Sequence, residues 1–330
     1  MKRIKTKAIA LATVALGLVA PSLSYAAWPE DTQVYVTVPY PPGTEPDILA
    51  RELGMILSNA KGANFIVENR PGANAIVGTD RVARSHAKNG EQLLMVDTLA
   101  LATNPLLYES LPYEWESSLK PVVTVAGTHL YLLVKDDLPV ASYEEFIAKA
   151  KQDKGELNIS TGGQGHVTHL GMGRLAKAEE VDFTYIPYGG VAPAVNGLLA
   201  GETDAMLVGG LVASKQIAGG KVRVLAVGAP ERTDLLPDVP TIQEAGGPAD
   251  SVPTTTFSLF VPATTSDEVV EEIHRAVTAA VQEPKIQESF KARGLIPVQT
   301  TPAELDAVIK ENNKNYATLI PELGIQPQEK

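Results

Sequence analysis

Between residues 34 and 227 the chain alternates two kinds of apolar spacing. Short runs rich in β-branched residues occupy 34–38, 65–67, 93–96, 158–160, 183–186, 205–208 and 222–227, each with the length and composition of a strand. The segments between them have helical spacing. In 47–58, Ile48, Leu49, Leu53, Ile56 and Leu57 fall on one face, the stripe of an amphipathic helix. Strands alternating with helices predict an α/β protein with mostly parallel sheets. From Asp267 onward the pattern is helical and charged, with Val269, Val270, Ile273, Val277 and Val281 on one stripe and Leu305, Val308 and Ile309 on another.

Two apolar, extended segments break this alternation: 122–126 running into 130–134, and 257–261. They stand where the chain can pass between two lobes, so two crossings predict a two-stranded hinge. One lobe then combines residues 27–125 with 254–330, and the other is 126–253. A faint echo about 120 residues apart supports two related halves. Residues 34–38 run through Pro39-Tyr40-Pro41-Pro42-Gly43-Thr44 into a helix, and 157–160 run through Thr161–Gly165 into another. In open α/β sheets, ligands bind beyond the strand C-termini, where helix N-termini present unpaired amides and partial positive charge.

The start of the chain belongs to neither lobe. Lys2, Arg3, Lys5 and Lys7 precede an apolar stretch at 8–20, and Ser24-Tyr25-Ala26 places small residues where signal peptidase reads them. This predicts a signal peptide over 1–26, cleaved after Ala26, and an exported protein. The apolar stretch falls short of the roughly 20 residues a membrane-spanning helix needs. The leader holds four cations and no acid, so the mature chain is still more acidic than the −11 of the full sequence. That balance argues against nucleic acid as a partner. With no cysteine in the chain, stability rests on a packed core, and a thiol nucleophile is excluded.

The stretch LNISTGGQGHVTHL at 157–170 invites several chemistries. A phosphate loop would end in Gly-Lys-Ser/Thr, where this chain has Gly165-His166-Val167, and Thr168 stands where a dinucleotide fingerprint needs glycine. His166 and His169 share a helical face but are too few for zinc, with no acid between them. One of them is equally suited to bonding the loop backbone at the helix start. No Gly-x-Ser-x-Gly occurs, which leaves an exported hydrolase only as an unrecognised Ser/His/Asp arrangement. Small residues and hydroxyls at a helix N-terminus suit a carboxylate. The amides of Gly162, Gly163, Gln164 and Gly165 and the hydroxyls of Thr161 and Thr168 are the candidate donors; a plain tight turn is the alternative. Tyr188, before Gly189-Gly190, and Thr98 and Asn104, after the strand at 93–96, stand at similar strand ends, either lining the cleft or packing at its rim. No cofactor, no metal and no catalysis are expected.

Several motifs then converge. Pro39-Tyr40-Pro41-Pro42-Gly43 with Asp47-Ile48-Leu49-Ala50-Arg51, Val67-Glu68-Asn69-Arg70-Pro71-Gly72-Ala73, and Leu111-Pro112-Tyr113 resemble the solute receptors of tripartite tricarboxylate transporters, the Bug family. The likeness continues through Gly165, His169-Leu170, Pro187-Tyr188, Leu235-Leu236-Pro237-Asp238-Val239-Pro240-Thr241 and Glu244-Ala245-Gly246. It implies a type II periplasmic-binding-protein fold whose two α/β lobes close on a carboxylate, and delivery of that ligand to integral-membrane permease subunits. By resemblance, the loop Tyr40, Pro42, Gly43, Thr44 and the loop from Thr161 to Thr168, with His169 behind it, grip the carboxylate from opposite lobes, partly through ordered water. A monomeric receptor is expected; a sensor presenting the bound acid to a membrane kinase is the alternative role. The chain departs from the family where the ligand is concerned. Thr44 replaces a second glycine, Glu45-Pro46 brings an acid near the loop, Gly189 stands for a lysine, Val208-Gly209 for an Asp-Asn pair, and His166-Val167 for small hydroxyl residues. These changes point to a ligand less densely charged than citrate, such as an aromatic acid or a longer dicarboxylate, with His166 setting the preference.

Overall fold

A computed structural model describes Trp28, Pro29 and residues 33–329; the leader and the expected cleavage after Ala26 lie outside the described residues. The chain begins with β1 (Gln33–Val38), α1 (Glu45–Lys61), β2 (Asn64–Asn69), α2 (Ile76–Ala83), β3 (Gln92–Asp97), α3 (Thr98–Leu107), α4 (Trp115–Ser118) and β4 (Leu119–Thr128). Its middle holds β5 (Leu130–Lys135), α5 (Tyr143–Asp153), β6 (Asn158–Thr161), α6 (Val167–Glu179), β7 (Thr184–Pro187), α7 (Val191–Leu199), β8 (Ala205–Gly209), α8 (Gly210–Ile217) and β9 (Val222–Val227). It closes with β10 (Thr255–Pro262), α9 (Asp267–Val281), α10 (Pro284–Arg293), β11 (Leu295–Pro297) and α11 (Pro302–Glu322).

These strands form two sheets, ordered β11-β4-β10-β3-β1-β2 and β7-β6-β8-β5-β9. Both are mixed, which corrects the expectation of mostly parallel sheets. Helix-linked strands pair in parallel, β1 with β2 and β3, and β6 with β7 and β8. The remaining pairs, β10 with β3 and β4, β11 with β4, and β5 with β8 and β9, are antiparallel. The connections explain the difference. Only His129 separates β4 in the first sheet from β5 in the second, so β5 enters its sheet without the crossover helix that parallel pairing requires. β10 brings the chain back to the first sheet after residues 228–254.

Because alternate strand residues face opposite sides, helices cover both faces of each sheet. Val36, Leu93 and Leu259 pack under Leu53 of α1, Ile273 of α9 and Phe290 of α10, while Leu94, Val96 and Phe260 meet Ile76 of α2, Leu101 of α3 and Leu305 of α11. In the second sheet Leu132, Ile159 and Leu207 face Phe146 and Leu170, and Leu133 and Met206 face Ala194, Leu198 and Ala213. Helix α11 serves both halves: Leu305 and Ile309 lie on the first sheet, and Tyr316, Leu319 and Ile320 join the second sheet's cluster. At the start of the described chain Trp28 is fully buried, edge-on to Phe65 at 5.6 Å, with its indole N–H donating to the Gly90 carbonyl at 3.1 Å.

The return crossing is anchored by the Leu-Pro-Asp-Val-Pro-Thr stretch. Val227 N–H donates to Pro240 O and Ile242 N–H to Val227 O. The Glu244 amide donates to the Thr241 hydroxyl and the Thr241 amide to the Glu244 carboxylate, and Arg232 donates to the same carboxylate. No helix among the described residues is long and apolar enough to cross a membrane.

Candidate functional site

The loop after β1 is held from beneath by one carboxylate. Asp47, on the first turn of α1, accepts the Gly43 amide at 2.8 Å, the Asn69 side-chain amide at 2.8 Å and the Arg51 guanidinium at 2.9 Å. Asn69 also donates to the Tyr40 carbonyl at 3.1 Å. The Asp-x-x-x-Arg and Asn-Arg-Pro-Gly stretches are therefore one scaffold, and the donors around Asp47 more than offset its burial and hold its carboxyl below the usual range. Gly43 has φ +83°, a left-handed conformation that favours glycine. Pro42 and Gly43 are exposed at the tip, and the Thr44 hydroxyl donates to Pro41 O at 2.8 Å. The Tyr40 hydroxyl turns inward and accepts the Asp97 amide at 3.1 Å.

The loop after β6 is shaped mainly by its own side chains. Gly162 N–H donates to Thr168 Oγ1 at 2.9 Å, and that oxygen lies 3.0 Å from His166 Nδ1. Gly165 N–H donates to His169 Nδ1 at 3.0 Å, which requires a ring nitrogen without a proton and so places the His169 proton on Nε2. The Thr161 hydroxyl donates to Gly163 O at 3.2 Å. Two amides expected to meet a ligand, those of Gly162 and Gly165, are thus engaged within the loop. The amides of Gly163 and Gln164 have no intrachain acceptor among the described residues. Two glycines make room: a Cβ on Gly162 would lie 2.8 Å from His166 Nδ1, and one on Gly165, at φ +73°, 2.3 Å from Leu107 of α3. Burial lowers the His166 imidazole to about 4, helped by neighbouring His169, and lowers His169 to about 4 as well. Both rings are accordingly neutral near pH 7.

The remaining expected residues have side-chain partners outside the two loops. Thr98 is buried, its hydroxyl 2.7 Å from Ser258 Oγ and donating to Thr256 O at 3.2 Å. Asn104 makes a reciprocal pair with Asn74, tying α3 to the start of α2. The Tyr188 side chain lies over Gly197 of α7 and donates to Glu202 at 2.9 Å, although its backbone adjoins the second loop through Tyr188 N–H to Thr161 O. A shallow hollow of about 350 Å³ between α1 and α9, lined by Ile56, Leu57, Lys61 and Glu272, lies at the end of α1 remote from Thr44.

Two acids stand beside the first loop. Glu45, the first residue of α1, crosses to the second sheet: a Cβ on Gly209 would lie 2.5 Å from its Oε1. Gly209 ends β8, which pairs in parallel with β6 at Ile159 and Ala205. The Glu45 contact therefore brings the first loop to the strand-end edge that carries the second. Asp97, the N-cap of α3, is buried and accepts Leu99 N–H at 2.9 Å. Its position directly before Thr98, at a strand-to-helix junction, was the available sequence signal.

Comparison with known proteins accords with this geometry. A family model described as "Tripartite tricarboxylate transporter family receptor" matches residues 49–325. Protein BugT of Bordetella pertussis is 30% identical over 316 residues, covering 96% of this chain and 95% of that protein. The solved periplasmic binding protein BugD superposes with a TM-score of 0.80 at 29% identity, covering 90% of this chain and 99% of BugD. Rpa4515 of R. palustris, solved with adipate, gives 0.84 at 27% identity, covering 91% of this chain and 100% of that one. With paired strand-end loops on two helix-covered sheets and a match over nearly the whole described chain, this protein belongs to the tripartite tricarboxylate transporter receptor family, the Bug family of periplasmic solute-binding proteins.

Proposed function

We propose that this receptor captures an organic carboxylate between two lobes, 27–125 with 254–330 and 126–253, and presents it unchanged to the permease subunits of a tripartite transporter. The observation that carries the reading is the convergence of two amide-bearing loops, Tyr40–Thr44 and Thr161–Thr168, reached through the Glu45 contact with Gly209. Dipoles at the start of α1 and α6 and the amides of Gly163 and Gln164 supply the attraction, and no fixed cation is required. Charge-assisted hydrogen bonds contribute about 1.5–3 kcal/mol each, and a micromolar ligand needs only about 8 kcal/mol, so a few bonds from each lobe suffice. Adipate in the solved relative agrees with that chemistry. Lobe closure follows if the ligand makes contacts that exist only when both loops meet.

The test is a thermal-shift screen of the mature chain with mono-, di- and tricarboxylates, aromatic acids and amino acids, followed by calorimetry and recovery of the ligand. Binding of a carboxylate that is recovered intact supports the proposal. Chemical turnover, or the absence of any carboxylate ligand, would overturn it. Replacing Thr161 and Thr168 together by alanine should weaken the affinity, because Thr168 Oγ1 holds the Gly162 amide in place; unchanged affinity removes this loop from the site.

A further inference from the structure

Glu45 stands directly behind the first loop, yet its carboxyl lies in the other half of the molecule. Built onto Gly209, a Cβ would lie 2.5 Å from Glu45 Oε1 and 2.8 Å from Oε2, so only glycine leaves room for this approach. Leu211, in the first turn of α8, is the backbone neighbour that favours the charged form of this carboxyl. An N-terminal helix end is a natural seat for an anion. Here the seat is taken by a carboxyl of the chain itself, presented from the opposite sheet.

A second acid adjoins it. Asp97 is 6% exposed, and its charge acts on Glu45. Burial raises both carboxyls to about 7, and no Lys or Arg counters either of them among the described residues. Glu45 Oε1 is buried without a hydrogen-bond partner. A ligand closing between the lobes therefore brings its first carboxylate to the neutral loops, while the far side already holds two acids with no Lys or Arg beside them among the described residues.

We propose that Glu45 is a specificity-determining residue that turns this receptor toward monocarboxylates, because the chain's own carboxyl fills the seat at the α8 N-terminus where a ligand's second carboxylate would go. The proposal rests on the carboxylate-receptor reading given above and narrows it: the rest of the ligand is uncharged or cationic.

Matched acids test it by calorimetry on the mature chain: hexanoate against adipate, and benzoate against terephthalate. The expected result is that the better-binding pair favours the monoacid by tenfold or more, and that Glu45→Gln, which keeps the shape and removes the charge, brings the ratio toward one. A general loss of packing would weaken both acids alike and leave the ratio unmoved. Wild-type protein that binds the diacid as tightly as the monoacid overturns the inference while the receptor reading stands, as does a ratio unchanged by Glu45→Gln. The wild-type ratio alone decides the matter should the variant fold poorly. If no acid of either kind binds, the receptor reading fails and this inference fails with it.

Discussion

Asp47→Ala removes the acceptor on which the first loop is built. Three donors converge on this carboxylate, from Gly43, Asn69 and Arg51, and its side chain is 3% exposed. The Gly43 and Asn69 bonds are charge-assisted and part-buried, so each is worth about 1.5 kcal/mol at the low end of the range for bonds to charged groups. Arg51 is 51% exposed, which limits that ion pair to roughly 0–1 kcal/mol. The sum, about 3–4 kcal/mol, is a large part of the roughly 5–15 kcal/mol by which native proteins are stable. Urea denaturation followed by circular dichroism measures it at neutral pH. The folded-state carboxyl titrates below its usual value of 3.8. The stabilisation is therefore present above that pH and lost as pH falls through the folded-state value, and the gap between wild type and variant should close in acid. A deficit under about 1 kcal/mol at neutral pH, or one that is the same in acid, would refute the scaffold argument.

Gly165→Ala combines a left-handed backbone with a Cβ 2.3 Å from Leu107, so it should cost about 1–3 kcal/mol and weaken carboxylate affinity, read by urea melts and calorimetry. Trp28→Ala empties a fully buried site against Phe65 and should cost about 3–5 kcal/mol in the same melts while sparing affinity. His169, lowered to about 4 from 6.5, contributes stability that is full above 6.5 and lost as pH falls toward 4; His169→Gln keeps an acceptor for the Gly165 amide and should lose less than wild type on acidification. Glu45 has the opposite sign: raised from 4.5 to about 7, its contribution is full below 4.5 and lost as pH rises through 7. Melting temperatures of Glu45→Gln should therefore gain on wild type between about pH 5 and 8, and parallel profiles would contradict the assignment.

Much of this fold was legible in the sequence because buried strands and amphipathic helices imprint their periods locally. The runs at 34–38, 158–160 and 205–208 are β1, β6 and β8 to within a residue or two, and Ile48, Leu53 and Leu57 mark α1. Strand direction was not legible. Residues 122–126 and 130–134 read as a crossing, but pairing sense depends on where the chain comes from: β5 follows β4 with only His129 between them, and β10 follows residues 228–254 with no helix before it, so both enter their sheets without a crossover helix and pair antiparallel. The two loops were visible as Gly-rich strand-to-helix turns, whereas the partners of their polar groups were not. Thr98 and Asn104 have the composition of a binding rim, yet their hydroxyl and amide are satisfied by Ser258 and Asn74, residues remote in sequence. Glu45 could be seen beside the first loop. That it reaches Gly209 could not, since the contact joins two sheets.

The central claim is that a carboxylate draws two halves of this chain together. The sequence contains no cysteine, so Met55→Cys on α1 and Ile217→Cys on α8, both exposed, give a clean pair of spin-label sites, one on a helix of each half. Pulsed dipolar spectroscopy should show a distance distribution that shifts to the short, narrow component when a carboxylate that binds by calorimetry is added to saturation. An identical distribution with and without that bound ligand would contradict closure as the basis of capture.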